Sequence, residues 1–147
     1  NSAVFYECSH LSSIYFPICT TVGSQAFHSC AITTAFFPEC RSISASAFGV
    51  CKELVVASFP RCSRIYSYAF QSCFHLLSLY LLGTSVPTLS LGVFNSTPIF
   101  NYTASTGGVY GSIFVKQSLL AKFQSATNWS VLSSRMVGLT DEQIASL

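Results

Sequence analysis

Three tetrapeptides in this chain match one another: Phe16-Pro17-Ile18-Cys19, Phe37-Pro38-Glu39-Cys40 and Phe59-Pro60-Arg61-Cys62, beginning 21 and 22 residues apart. A second motif keeps step with them, in Ala26-Phe27-His28-Ser29-Cys30, Ala47-Phe48-Gly49-Val50-Cys51 and Ala69-Phe70-Gln71-Ser72-Cys73. Val4-Phe5-Tyr6-Glu7-Cys8 is the same unit one step earlier. Between the two motifs stands a single aliphatic position, filled by Val22, Ile43 and Ile65. After the second motif comes a strand-like run: Leu11 to Phe16, Ile32 to Phe37, Leu54 to Phe59 and Leu76 to Leu81. A period in this range marks a solenoid, in which each unit buries its apolar face only against its neighbours. One unit cannot stand alone. Its apolar columns are worth ~1.5–3 kcal/mol apiece when fully buried, while ordering its backbone costs roughly 1–2 kcal/mol per residue.

All seven cysteines fall into two of the repeating columns: Cys8, Cys30, Cys51 and Cys73 in one, and Cys19, Cys40 and Cys62 in the other. Stacked repeats lie ~4.8 Å apart with parallel side chains, whereas a disulfide needs Cβ atoms ~3.8 Å apart and a bond dihedral near ±90°. No disulfides are expected; the columns read as buried free thiols acting as small apolar fillers. Only 8% of residues are charged and the net charge is +2, too little to point to nucleic acid or an anionic membrane. No Asp, Glu, Lys or Arg falls between Arg64 and Lys116. The most apolar piece there, Leu76 to Leu82, is interrupted by Ser78 and stopped by Gly83, far short of the ~20 apolar residues a span requires. The chain starts within a repeat and without an initiator Met or signal pattern, and reads as a mature or truncated fragment.

The repeat degenerates after Leu82. Val86-Pro87-Thr88-Leu89 and Val93 to Ile99 form one imperfect unit, and Asn101 to Gly111 is a polar, Gly-rich excursion expected to be a loop or edge hairpin, with Gly107-Gly108 as a turn. Gly111 to Val115 predicts a strand, and Gln117 to Asn128 an amphipathic helix with Leu119, Leu120 and Phe123 on one face. Trp129 and the segment to Met136 are expected to close the open end of the stack, and Thr140-Asp141-Glu142-Gln143 is a capping-box signature for a further helix.

The Leu-x-x-Ile-x-x-Pro strand of Leu11 to Pro17, the Ala-Phe-x-x-Cys turn and their spacing resemble the BspA-like leucine-rich repeats of bacterial surface proteins. Gly111 to Val115, Ser118-Leu119-Leu120 and Ala126-Thr127-Asn128-Trp129 resemble the C-terminal cap that often follows such repeats. The chain departs from that pattern in Phe16, Phe37 and Phe59, where Ile is usual before Pro, in a turn glycine kept only as Gly23, and in Lys116, where a Pro is common. The expected fold is α/β: a leucine-rich-repeat-like right-handed solenoid with one parallel strand per repeat, short turns or 3₁₀ segments opposite, and a small C-terminal α/β cap. Residues 1–99 are assigned to the solenoid (four clear repeats and one degenerate) and 100–137 to the cap. Residues 138–147 begin a helix or a linker to a missing region. The resemblance implies a secreted or cell-surface protein, often of a host-associated bacterium, that binds an extracellular or host protein or a glycan, with no cofactor and no shared catalytic residues.

The chemistry-bearing residues are few. His10 and His75 share a column about 14 Å apart at ~4.8 Å per repeat, and no carboxylate completes a site beside His28, so no metal is expected. Cys73 with His75 is the one nucleophile pair, weakened by a cysteine column that points inward. Glu7, Glu39 and Glu53 lie in different repeats, and Asp141 and Glu142 in a helix cap, which leaves no acid–base pair. Asn95-Ser96-Thr97, Asn101-Tyr102-Thr103 and Asn128-Trp129-Ser130 match the glycosylation pattern, without meaning in a bacterial protein. Strand alternation turns Ile14 and Phe16 inward and leaves an outward column of Tyr15, Phe36, Ser58 and Tyr80, with Ser13, Thr34, Val56 and Ser78 beside it. That face has two readings: a rigid aromatic binding surface, or cross-strand pairs that only stabilise the sheet. The functional expectation is a non-enzymatic binding module working through this face; the alternative is a spacer that presents another domain.

Overall fold

Proline decides where each strand stops. In the computed structural model, which describes residues 2–101 and 107–147, β1 (Ser13–Tyr15), β3 (Thr34–Phe36) and β5 (Val56–Ser58) each end two residues before Pro17, Pro38 and Pro60. Proline has no N–H to give the ladder. Leu82 replaces it in the next repeat, and β7 (Ser78–Leu81) runs one residue longer. The aliphatic column adds a second, two-residue strand to the one expected per repeat: β2 (Thr21–Val22), β4 (Ser42–Ile43), β6 (Arg64–Ile65) and β8 (Thr88–Leu89). Two parallel sheets result. One has the order β1-β3-β5-β7-β9-β10 and the other β2-β4-β6-β8, where β9 (Ser112–Lys116) and β10 (Met136–Leu139) belong to the cap.

The turn from each strand of the small sheet to the next strand of the large sheet depends on a costly conformation. Ser29, Val50 and Ser72 precede Cys30, Cys51 and Cys73, and Ser96 precedes Thr97; all four have φ between 56° and 60°. For L-residues this left-handed region costs roughly 1–2 kcal/mol each. In the first three the conformation aims the N–H group at the following repeat, giving Ser29 N–H to Gly49 O at 2.9 Å, Val50 to Gln71 at 2.7 Å and Ser72 to Asn95 at 2.9 Å. Two residues earlier, the Phe27, Phe48 and Phe70 N–H groups do the same toward Ala47, Ala69 and Val93. Backbone groups that would otherwise be buried unpaired are thus satisfied between repeats.

Between the sheets the phenylalanines form two ladders. Phe5, Phe27, Phe48, Phe70 and Phe94 stack with centroids 5.0, 5.4, 5.3 and 5.8 Å apart and planes within 7°. Phe16, Phe37 and Phe59 stack at 5.4 Å. The two ladders meet edge to face, as in Phe37 with Phe48 at 5.8 Å and Phe48 with Phe59 at 5.7 Å, the geometry aromatic quadrupoles favour.

The cysteines are free thiols, and they modify the expectation of buried thiols acting as small apolar fillers in two ways. Cys8 and Cys19, at the first-repeat end of the stack, are only half-buried. Cys19 and the five buried thiols also donate hydrogen bonds: Cys19 Sγ to Thr21 O at 3.3 Å, and Cys30, Cys51 and Cys73 Sγ to the carbonyls of Phe5, Phe27 and Phe48 in the preceding repeat at 2.7, 2.9 and 3.1 Å. Cys40 and Cys62 Sγ reach Ser42 and Arg64 O at 3.3 and 3.4 Å. A thiol is a weak donor, but it is small enough for this column and relieves a carbonyl facing the core. In the degenerate repeat Thr97 takes the column, fully buried, and its hydroxyl donates to Phe94 O at 2.7 Å.

The cap closes the last repeat. A 3₁₀ turn (Gln117–Leu119) leads into α1 (Leu120–Ser125), shorter than the expected helix because Ala126 is already extended. Leu119 and Phe123 are buried, with Leu120 packed alongside. Trp129 is fully buried against Phe94 and Phe123, and its Nε1–H donates to Pro87 O at 2.7 Å. A second 3₁₀ segment (Ser130–Arg135) then delivers β10, and α2 (Asp141–Ala145) starts from the predicted capping box, formed by Thr140 and Gln143. Residues 102–106 of the expected loop lie outside the described residues; Gly107 and Gly108 form a turn with positive φ.

Two outcomes follow. Phe48 touches four rings of both ladders, so Phe48→Ala should lower unfolding free energy in urea by about 3–5 kcal/mol; Phe16→Ala, at the half-buried end, should cost clearly less. Burial pushes the Cys40 thiol up to about 11 and those of Cys51 and Cys62 up to about 12, from 9.0. Their contribution is therefore complete below pH 9 and is lost as pH rises from 9 toward 11–12, where the unfolded chain has ionised and the folded one has not. The thermal midpoint should fall over that window, and fall less steeply in Cys51→Ala.

Candidate binding surface on the strand face

The large sheet exposes its outer face because its inner face is consumed by the core. Ile14, Ala35, Ala57, Leu79, Ile113 and Met136 are aligned in register from β1 to β10 and buried. Alternation then forces their neighbours outward. The pairing aligns Ser13, Thr34, Val56, Ser78 and Ser112 in one column, and Tyr15, Phe36, Ser58, Tyr80, Phe114 and Val137 in the next. All eight residues expected from the sequence thus share one surface, and the cap extends it by Ser112, Phe114 and Val137. None of these three is among the residues expected from the sequence; the alternation of Ser112 to Val115 is the signal that could have found Phe114. What no local pattern disclosed is that β9 joins the same sheet.

Exposure is uneven along the column. Tyr15 is 68% exposed and Phe36 42%, whereas Tyr80 is half-buried because its ring stacks on Phe114, centroids 4.6 Å apart and planes at 13°. At the cap end the Arg135 guanidinium lies 3.4 Å from the centroid of the Tyr110 ring, a cation–π contact. The eight outward positions from β1 to β7 carry no ionisable group other than the two tyrosine hydroxyls. Charged side chains lie elsewhere: Arg61 pairs with Glu39 at 2.6 Å in the turns after the strands, and Lys116 with Asp141 at 3.6 Å beside α2.

The remaining candidates are not assembled. Cys73 is fully buried, desolvation holds its thiol well above the ordinary value, and Sγ is committed to Phe48 O. His75 Nδ1 instead lies 2.6 Å from Lys52 O, so the two do not form a nucleophile–base pair. His28 stacks on Tyr6 at 5.1 Å and bonds through Nδ1 to Ser29 Oγ at 3.0 Å. Among the described residues no three His, Cys, Asp or Glu side chains converge as metal ligands, and no helix is long and apolar enough to cross a membrane. Of the three glycosylation patterns, Asn95 is exposed, the Asn128 amide is bonded to Leu89 O at 2.6 Å, and Asn101-Tyr102-Thr103 extends outside the described residues.

No curated protein matches this sequence significantly. A family model described as the BspA type leucine-rich repeat region matches residues 1–126 in six copies. That span contains every repeated motif, both cysteine columns and the whole of α1. Stacked parallel strands, aromatic and thiol ladders and a helical cap agree with it, and the chain belongs to the BspA-type leucine-rich repeat family.

Proposed function

We propose that this chain is a non-enzymatic, cell-surface or extracellular binding module that adheres to a host or other extracellular protein through the outer face of the large sheet. The family is one of protein-interaction and surface modules, which supports the class of function. The observation that carries the site is the register-aligned column of Tyr15, Phe36 and Tyr80, flanked by Ser and Thr hydroxyls on a sheet whose strands cannot slide. Tyrosine and phenylalanine on such a support offer large contact area with few torsions to freeze, and binding energy concentrates in a few such anchors.

The test is capture of this chain on immobilised extracellular-matrix proteins, mucins and glycans, with the variant carrying Tyr15→Ser, Phe36→Ser and Tyr80→Ser in parallel. Binding should fall by at least about tenfold, equivalent to ~1.4 kcal/mol or more, while circular dichroism is unchanged. Equal binding by the triple variant would sink the proposed site. A folded chain that captures nothing would favour a spacer that holds another domain away from its anchor.

A further inference from the structure

The turn after β7 is built differently from those before it. From Phe37 to Ile43 and from Phe59 to Ile65 the chain advances six residues, whereas the register-equivalent stretch from Leu81 to Leu89 takes eight. The longer loop is pinned against the preceding repeat at Gly83, where a Cβ would sit 2.5 Å from Pro60 O. Only glycine allows so close an approach. Between this loop and the turns of the two preceding repeats lies a cleft of about 640 Å³, the size of a small-ligand site. We infer that this cleft, separate from the strand face, binds one carboxylate-bearing sugar residue of an acidic glycan.

Charge complementarity selects the ligand. The charged side chains lining the cleft are Arg41, Arg61 and a single carboxylate, Glu39. Glu39 accepts a hydrogen bond from Arg61 Nη1 at 2.6 Å, which orients that guanidinium and leaves most of its donors unused. Among the described residues the Arg41 guanidinium makes no ion pair and no hydrogen bond. One positive charge is thus uncompensated, and a guanidinium matches a carboxylate with two parallel N–H bonds. On the loop side, the backbone N–H groups and hydroxyls of Thr84 and Ser85 donate to nothing within the chain among the described residues. Successive free N–H groups of this kind favour an oxyanion. A bare carboxylate would fill only a small part of the volume. Half-buried Pro38 and Pro60 offer apolar rings to the C–H face of a pyranose, and the two loop hydroxyls can exchange hydrogen bonds with its hydroxyls.

The test uses the whole chain, ¹⁵N-labelled, titrated separately with methyl β-D-glucuronide, with methyl β-D-glucoside, which differs from it only at C6, and with sodium acetate. Saturable amide shifts centred on Gly83, Thr84 and Ser85 are expected with the glucuronide, weakening as sodium chloride is added. Arg41→Gln, an exposed substitution that should leave circular dichroism unchanged, should weaken the glucuronide about tenfold, and Arg41→Gln with Arg61→Gln should abolish the shifts. No shifts at these amides, or a double variant that binds like wild type, would overturn the site. Equal binding of the neutral glucoside would overturn the role of charge. Acetate binding as tightly as the glucuronide would overturn the sugar assignment in favour of a bare carboxylate, such as that of an acidic peptide. The strand-face triple variant should bind the glucuronide like wild type whatever it does in the capture experiment; loss of the shifts in that variant would overturn the cleft as a separate site.

Discussion

The hydrogen bonds that pass from one repeat to the next are the constraint on which the rest of this structure depends. A turn as tight as the one before Cys51 leaves N–H and C=O groups facing a dry interior, where an unpaired group costs on the order of 1–3 kcal/mol. Val50 accepts a left-handed backbone, unfavourable for a β-branched residue, because that geometry delivers its N–H to Gln71 O at 2.7 Å. The thiol of Cys51 attends to the carbonyl of Phe27 from the other direction. Each repeat is thus completed by both neighbours, which is why local strain is tolerated wherever the stack is continuous and the repeat is not a folding unit alone.

The same dependence explains the cap. A stack has ends, and the last Phe ladder ring, Phe94, needs something other than another repeat above it. Trp129 supplies a larger ring at an inclined angle, and with it a donor for the carbonyl of Pro87. Asn128, itself left-handed with φ 63°, donates to Leu89 O on the same side. The β8 end of the small sheet is thereby met by side chains, while the large sheet is carried on by β9 and β10. Gly138 marks how close that last strand lies: a Cβ there would overlap the side chain of Gln117.

The proposed binding face is what the stacking leaves outside. The core claims one residue in two along each strand, and the repeat makes that choice identical from β1 to β7, so the outer residues line up without any selection for contact between them. The aromatic residues of that column are preformed at low entropic cost, because the register holds each of them in place.

Much of this was legible in the residues themselves. Phe-Pro spacing, the Ala-Phe-x-x-Cys turn and the alternation around Ile14 determine the solenoid, the buried columns and the outward set Tyr15, Phe36, Ser58 and Tyr80, since a period copied several times averages out local ambiguity. The capping box at Thr140 was equally plain, because its partners are three residues apart. Tertiary structure decided the remainder. A two-residue strand such as Ser42–Ile43 has no alternation to read and exists only because the neighbouring repeat offers an identical edge. The donor role of the Cys30, Cys51 and Cys73 thiols depends on where a carbonyl from about 25 residues away points. The extension of the face through Phe114 to Val137 depends on two cap strands of unrelated sequence pairing in parallel. Contacts within a repeat are written in its period; contacts between a repeat and something unlike it are settled only when backbone hydrogen bonds find their partners in three dimensions.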